Sequence, residues 1–483
     1  MSKKGGVLIN LFWKFAERMA AQVVTLLVSI ILARLLTPED YGLISIVTIF
    51  ITLANVLVSD GFGNALIQKK DADALDFSTV LYFNIAFSLG LYLLLYVTAP
   101  MIAEFYGAGY ELLTPVLRVL GLRIIISGVN SVQQAYVSRK MIFQQFFWST
   151  LIATVISAVI GIAMAYAGFG VWALVAQYLT NTTVATVTLA ITMKKMPLLA
   201  FSLARLRSML GFGTKVLSTK LLITGFEELR ALIIGKLYSS NDLAYYDKGR
   251  QFPQVIVANI NTSISAVLFP KMSSEQDNVE RIKQTTRNSI RFSSYIMAPM
   301  MMGLAAVATP FVRLVLTDKW LPCVPLLQLS CIFYLFQPIH TANMQAIKAM
   351  GRGDIYFKLE VIKKAIELVV LFAVMWISVD AIVISMAVLA ALFTVVNAWP
   401  NRELISYSFT EQMADILPSL LMAMTMAVCV YLIGYLPLGL LTMLVLQVLA
   451  GAIVYIVLSA VTRNEEFQYL WSMVKAVLKR KKL

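Results

Sequence analysis

Residues 31–42 read ILARLLTPEDYG and residues 233–244 read IIGKLYSSNDLA. Set one above the other, Arg34 meets Lys236, Leu35 meets Leu237 and Asp40 meets Asp242, at a constant offset of 202 residues. In each copy a basic residue closes one apolar run and a short polar turn opens the next. The same offset carried backwards brings Arg18 onto Lys220. A fainter echo pairs Gln134-Ala135 with Gln345-Ala346. The repeat predicts a six-helix unit used twice in the same orientation, followed by two further helices. Parallel repeats of this kind mark transporters, whose substrate site usually lies between the halves.

The rest of the chain fits that reading. It has 483 residues, 59% of them hydrophobic and 14% charged, whereas water-soluble domains are about 25% charged. Apolar runs of about 20 residues recur from end to end, so the protein reads as all-α and integral to a membrane. Cys323, Cys331 and Cys429 lie in or beside apolar segments with no CxxC or Cys/His cluster, which leaves them as packing residues. No metal or other cofactor is called for. The N-terminus, MSKKGGVLIN, runs into an apolar segment too long for a signal peptide and reads as a retained span.

Apolar windows between polar breaks predict fourteen spans, at about 11–36, 41–66, 79–100, 113–138, 145–166, 170–193, 208–236, 243–270, 288–309, 322–348, 355–377, 380–398, 413–434 and 438–462. They group into an N-lobe (1–195), a cytoplasmic linker (196–207), a C-lobe (208–400), two extra helices (401–462) and a tail (463–483). With both termini cytoplasmic, the inner loops and tails hold roughly 25 of the 40 Lys and Arg. The opposite side holds about four, Arg34, Lys236, Arg313 and Lys319. In the tail, Phe467, Leu470, Trp471, Val474 and Leu478 share one helical face among lysines. That pattern predicts an amphipathic helix on the anionic inner leaflet.

Charges inside spans should face protein or water, because lipid makes them costly by roughly 2.5–3.5 kcal/mol each on insertion scales. Helical spacing gathers the polar residues into stripes. The first span carries Lys14, Arg18, Gln22, Thr25 and Ser29; the second, Ser45, Thr48, Thr52, Asn55 and Ser59. The fourth carries Arg123, Ser127, Asn130 and Gln134. The seventh carries Lys220, Thr224, Glu227 and Arg230 with Glu228 on its flank, and the eighth Asp247, Gln251, Gln254, Asn261 and Ser265. Spans 1, 2, 7 and 8 are repeat-equivalent, so the stripes imply a shared hydrophilic cavity between two lobes. The Ser and Thr positions also read as interhelical glue. Arg18, Lys220, Arg230 and Arg123 suit a phosphate or pyrophosphate, with Gln22, Asn55, Gln251 and Gln254 as polar lining. Glu17, Asp60, Glu227, Glu228 and Asp247 are each eligible to bind a proton or sodium ion that drives transport.

Other signals carry less. The DAD at 71–73 looks like a DxD metal motif but sits in a short loop, KKDADALDF, and reads as a solvated charged loop. His340, beside Pro338, reads as a hydrogen-bonded histidine at a helix kink rather than a proton switch. No Walker A motif is present, so ATP is not the direct energy source.

The segments LARLLTPEDYGL (32–43), DGFGNALIQ (60–68), IIGKLYSSNDLAYY (233–246), VLFPKMS (267–273) and GRGDIYF (351–357) resemble the polysaccharide transporter branch of the multidrug/oligosaccharidyl-lipid/polysaccharide exporter superfamily, the Wzx-type flippases. The resemblance covers essentially the whole chain in order. It implies two pseudo-symmetric six-helix lobes around a central cavity in the bacterial cytoplasmic membrane. It implies alternating access that moves an undecaprenyl-pyrophosphate-linked oligosaccharide from inner to outer leaflet, driven by an ion gradient. Membrane lipids and other polysaccharide assembly proteins are the implied partners; nucleic acid is not among them. One departure matters: where relatives have an acidic or amide residue, this chain has Arg230, in RALIIG, so the ion-site assignment does not transfer to that helix. A multidrug/cation antiporter would favour acidic, aromatic-lined lobes over Arg18, Lys220 and Arg230. A lipid II flippase is closer in chemistry, and only the motif set separates it. A membrane-embedded polymerase or ligase would need a larger outer loop than TPFVRLVLTDKWLP (309–322), so the chain does not read as an enzyme.

Overall fold

The computed structural model describes residues 22–59, 62–69, 71–107, 109–193, 200–276 and 278–480. Every regular element among them is a helix. The helices sort into two packing units, Met1–Ala244 and Tyr245–Leu483.

In the first unit, α1 (Gln22–Leu35) and α2 (Pro38–Ser59) are followed by the short α3 (Phe62–Gln68) and the long α4 (Ala74–Tyr106). Then come α5 (Leu113–Lys140), α6 (Phe143–Tyr166), α7 (Val171–Met193) and α8 (Leu203–Leu237). Pairs α4/α5 and α6/α7 form antiparallel hairpins, α5 also packs on α2 and α7, and α8 packs on α2, α3 and α4. With lipid outside, burial of apolar area no longer drives helix association, and close approach through small residues takes over. Gly128 of α5 illustrates this: a Cβ there would lie 2.8 Å from Ser88 Oγ and 3.1 Å from the Asn84 carbonyl on α4. One turn on, Asn84 Nδ2 donates to Ser131 Oγ at 3.0 Å.

The second unit takes most of α9 (Ser240–Ser274), whose first turn belongs to the first unit. It continues through α10 (Val279–Ala306), α11 (Ala308–Val315), a 3-10 turn (Asp318–Trp320), α12 (Cys323–Leu335) and α13 (Gln337–Ala349). The last five helices are α14 (Gly353–Val374), α15 (Val379–Leu404), α16 (Phe409–Ile433), α17 (Leu440–Val461) and α18 (Glu465–Arg480). α10 and α16 pack along one another; α12, α13 and α14 pack on α15, and α17 on α16. Between α10 and α11 the chain bends by 70°. α12 and α13 meet at Phe336, with Pro338 in the first turn of α13, a position where its missing N–H is no loss.

Nine helices among the described residues are long and apolar enough to cross a membrane, or ten if the bent pair α10/α11 counts as one. The described parts of the windows read from the sequence fall mainly in helices, the first from Gln22 onward; 41–66 takes in parts of α2 and α3, and 288–309 and 322–348 are each broken, between α10 and α11 and between α12 and α13. Two of the less apolar long helices carry charged stripes: α8 holds Lys215, Lys220, Glu227, Glu228 and Arg230, and α9 holds Asp247, Lys248 and Arg250. Apolar side chains exposed along α4 (Leu93, Leu94, Val97, Met101) and α17 (Val445, Val448, Leu449, Ile453) give these helices a lipid-compatible surface.

The tail is helical, but its first apolar residues do not face a leaflet. Phe467 and Leu470 pack against the buried cluster of Tyr295, Met422, Met426 and Tyr455. Arg291 of α10 fixes them there: its Nε donates to Glu466 Oε1 at 2.5 Å and its Nη2 to Glu465 Oε2 at 2.7 Å. Trp471 and Tyr469 stay exposed. The side chains of Val474 and Leu478 lie outside the described residues.

Candidate functional site

The two copies of the repeat fold locally alike. Thr37 N and Oγ1 donate to Asp40 Oδ2 at 3.0 and 2.7 Å, and Asp40 N donates back to Thr37 Oγ1 at 3.2 Å. At the equivalent place, Ser239 N and Oγ donate to Asp242 Oδ2 at 3.1 and 2.6 Å, and Asp242 N donates to Ser239 Oγ at 3.1 Å. Each box satisfies backbone donors that a helix start leaves open. The two starts touch, because a Cβ on Gly42 would fall 1.9 Å from the Ser240 carbonyl oxygen.

Within the first unit, the polar faces of α5 and α7 meet. Arg123 Nε donates to Thr182 Oγ1 at 2.9 Å, and its guanidinium carbon lies 5.6 Å from the centre of the Tyr178 ring. Thr182 Oγ1 in turn donates a hydrogen bond to the Tyr178 carbonyl at 3.1 Å. Further along, Asn130 Nδ2 donates to Thr186 Oγ1 at 3.1 Å and Gln133 Nε2 to the Thr186 carbonyl at 3.2 Å. Asn130 therefore acts as glue. Arg123 is held by Nε and its ring contact, and no hydrogen bond among the described residues uses its two Nη groups. Gln22 and Asn55 are half-buried, and Asn55 Oδ1 has no partner among the described residues. On α8, Lys220 and Glu227 are exposed, Glu228 and Arg230 half-buried, and Thr224 is buried. Arg18, Glu17 and Asp60 lie outside the described residues.

In the second unit, Gln251 Oε1 accepts from Lys248 Nζ at 3.1 Å. Asp247 is half-buried and Gln254 exposed. The stripe reading passed over Lys248 and Arg250, although both are cations on the same helix. Lys248 is almost fully buried, 5.8 Å from the Trp320 ring centre, and Arg250 Nη1 donates to Tyr246 Oη at 2.7 Å. Ser265 Oγ accepts from Gln345 Nε2 at 3.2 Å. His340 Nε2 lies 3.0 Å from both the Ala390 carbonyl and Thr394 Oγ1, next to the α12/α13 break, as the sequence suggested.

The DAD loop is solvated at Asp71 and Asp73, as read, but the charge run that continues from it ends in a buried ion pair at Asp76. Asp73 caps α4, accepting from Asp76 N at 3.0 Å, while Asp73 N donates to Asp76 Oδ2 at 3.1 Å. The Asp76 backbone amide holds the Asp73 carboxyl below the usual carboxylate range. Asp76 is fully buried, bridged to Lys69 Nζ at 2.6 Å and to Arg205 Nη1 at 3.2 Å. Arg139 Nη1 donates to the Leu66 carbonyl at 3.1 Å and to that of Lys69. The D-x-x-D spacing of a capping box was the signal, and the charge run around it hid it.

The chain is 24% identical over 347 residues to the teichuronic acid biosynthesis protein TuaB of Bacillus subtilis, covering 71% of each chain. It is 25% identical over 340 residues to the lipopolysaccharide biosynthesis protein WzxC of Escherichia coli, covering 69% of this chain and 68% of that one. Among solved structures, the lipid II flippase MurJ in an inward closed conformation aligns with a TM-score of 0.75 at 15% identity, over 94% of this chain and 99% of that one. An inward-facing multidrug resistance MATE transporter of the MOP superfamily aligns with a TM-score of 0.62 at 16% identity, over 80% and 94%. The fold is thus that of MurJ and the MATE transporters. A family model described as polysaccharide biosynthesis protein matches residues 31–325, and the chain belongs to that family of multi-pass membrane proteins.

Proposed function

We propose that this protein is a flippase that carries an undecaprenyl-pyrophosphate-linked oligosaccharide from the inner to the outer leaflet of the bacterial cytoplasmic membrane, for capsule, O-antigen or exopolysaccharide synthesis. The observation that carries the reading is Arg123, a guanidinium fixed by Thr182 and Tyr178 inside a helical unit, with its Nη fork uncommitted among the described residues. Such a fork matches two phosphate oxygens at once. Similarity to TuaB and WzxC, whose names place them in teichuronic acid and lipopolysaccharide biosynthesis, supports the cargo class.

In this reading fourteen helices cross the membrane, two sets of six and two more, with both termini cytoplasmic. Arg18, Lys220, Arg230 and Arg123 handle the pyrophosphate, and Gln22, Asn55, Gln251 and Gln254 line the path of the sugars. One of Glu17, Asp60, Glu227, Glu228 and Asp247 couples the motion to a proton or sodium gradient by alternating access. The lipid tail stays in the bilayer throughout.

The test uses the purified protein in liposomes with a fluorescent undecaprenyl-pyrophosphate oligosaccharide, following glycan accessibility in the far leaflet under proton and sodium gradients. Translocation that the wild type performs and Arg123→Gln loses, with folding retained, supports the reading. Transport of organic cations in place of this lipid would hand the function to the multidrug class. Movement of the lipid that is indifferent to Arg123, Lys220 and Arg230 would keep the function and discard the residues.

A further inference from the structure

Away from the stripes, the second unit has an open cavity of about 250 Å3 where α10 turns into α11 and α16 turns into α17. Thr309, Arg313, Gln328, Tyr431, Tyr435 and Gln447 supply its polar lining. The helix break at 434–439, with Gly434, Pro437 and Gly439, marks the end of two apolar spans. Exposed Tyr435, Leu436 and Leu441 sit around it. Tyrosines at the end of an apolar helix belong to the membrane–water boundary, where an amphiphile has its headgroup.

Gln447 is the first sign that the cavity is built for a ligand. It is 1% exposed, one turn or more from the other polar side chains of a largely apolar helix, Thr442, Tyr455 and Ser459. Its Nε2 donates to the Val430 carbonyl at 3.0 Å, which fixes the amide, and its Oε1 is buried with no partner among the described residues. A buried acceptor left unmet is unfavourable. It calls for a donor, a hydroxyl or an ammonium group.

The donors opposite call for an anion. Arg313 is tied to Asp318 Oδ1 through Nε at 2.6 Å, and no hydrogen bond among the described residues uses its Nη fork. Tyr435 Oη donates to Tyr431 Oη at 3.2 Å, so the Tyr431 proton is left for a further acceptor. Gln328 Nε2 is held by the Ala305 carbonyl at the end of α10 at 3.1 Å, which sets that side of the wall. Anion donors and a hydroxyl acceptor in one small cavity describe a single headgroup. The volume falls below the about 300–1,000 Å3 typical of sites that enclose a drug-sized ligand, a size that suits a single headgroup.

We infer that this cavity binds a phosphate headgroup bearing a hydroxyl-rich substituent, with Arg313 and Tyr431 on the phosphate, Gln447 Oε1 on a hydroxyl, and the hydrocarbon running past Leu436 and Leu441. A phospholipid such as phosphatidylglycerol and a glycosyl phosphate share that chemistry. The site stands whether or not the protein is a flippase.

Native mass spectrometry of the full-length protein in detergent, titrated with phosphatidylglycerol and phosphatidylcholine, tests it. Choline offers no O–H or N–H, so the wild type should retain phosphatidylglycerol at least about fivefold better. Arg313→Gln and Tyr431→Phe should weaken phosphatidylglycerol by about fivefold or more, and Arg352→Gln, at an exposed ion pair elsewhere, should not. Gln447→Leu should abolish the preference over phosphatidylcholine. Tyr431→Phe removes one hydroxyl from an exposed ring, so its readout survives if the Gln447 variant fails to fold. Competition by glucose 1-phosphate but not glycerol 1-phosphate assigns the site to a glycosyl phosphate; the reverse pattern, or no competition by either, assigns it to the phospholipid. Equal retention in wild type, Arg313→Gln and Tyr431→Phe, or an equal loss in Arg352→Gln, overturns the inference.

Discussion

Asp40 and Asp242, 202 residues apart, each accept the backbone N–H and hydroxyl of the residue three before them, through the same carboxylate oxygen. The two boxes are one solution used twice, and they are in contact through Gly42 and Ser240.

Asp40→Ala and Asp242→Ala should therefore cost similar amounts, about 0.5–2 kcal/mol each, the usual range for a lost cap. Gly42→Ala should cost more than either, because its Cβ would meet the Ser240 carbonyl at 1.9 Å and one backbone must move. Thermal unfolding in detergent, with Asp71→Ala in the exposed loop as reference, checks the order. A milder effect of Gly42→Ala than of the cap variants would contradict the contact.

Asp76 is fully buried between Lys69 and Arg205. Asp76→Asn strands both cations and should destabilise toward the lower end of the about 3–5 kcal/mol seen when one partner of a buried pair is removed, since both cations keep some water. Asp73→Asn, at the exposed half of the same box, should do less. Guanidinium-free unfolding curves of the three proteins decide it.

Arg123→Gln should slow lipid translocation by tenfold or more, about 1.4 kcal/mol in the barrier. Arg123→Lys should recover only part of that, because it keeps the charge and loses the planar fork. Thr182→Val, which frees Nε but leaves the fork, should fall between them. Full recovery in the lysine variant would mean that charge alone matters.

Arg291→Gln leaves Glu466 buried beside Tyr295 without its cation, and should release α18 from α10. Protease cleavage after Arg463 would then accelerate by about tenfold. Arg291→Gln combined with Glu466→Gln should restore most of the protection, the signature of a coupled pair.

The repeat was readable because a helix cap needs few residues at fixed spacing, and Thr37/Asp40 and Ser239/Asp242 keep that spacing. Arg123 was readable because a cation in an apolar window has few explanations. Its neighbours were not separable in the same way: Asn130 shares the stripe with Arg123, yet its amide is spent on Thr186. Asp76 was hidden because a charge run looks the same from the sequence whether it is solvated or knotted; only Arg205, 129 residues away, distinguishes the two. Lys248 was missed for the converse reason. Its burial against Trp320 depends on a turn that no local pattern announces. The tail's apolar face was legible, but whether protein or lipid covers it was decided by Arg291.

The place of α8 has a bearing on how the chain is made. Both its ends are fastened inside the first unit: Arg205 to Asp73 and Asp76 at its start, and Gly235, whose carbonyl accepts from Tyr110 Oη at 3.2 Å, near its finish. A nascent chain that has delivered α2 to α7 into the bilayer still lacks the helix that covers α2, α3 and α4. Its buried Asp76 has Lys69 but not Arg205. The first unit can close only after the ribosome has passed Ala244, well into the second copy of the repeat. Biogenesis must therefore hold the early helices in an unfinished state, near the insertion machinery, for about 50 further codons, a few seconds of synthesis.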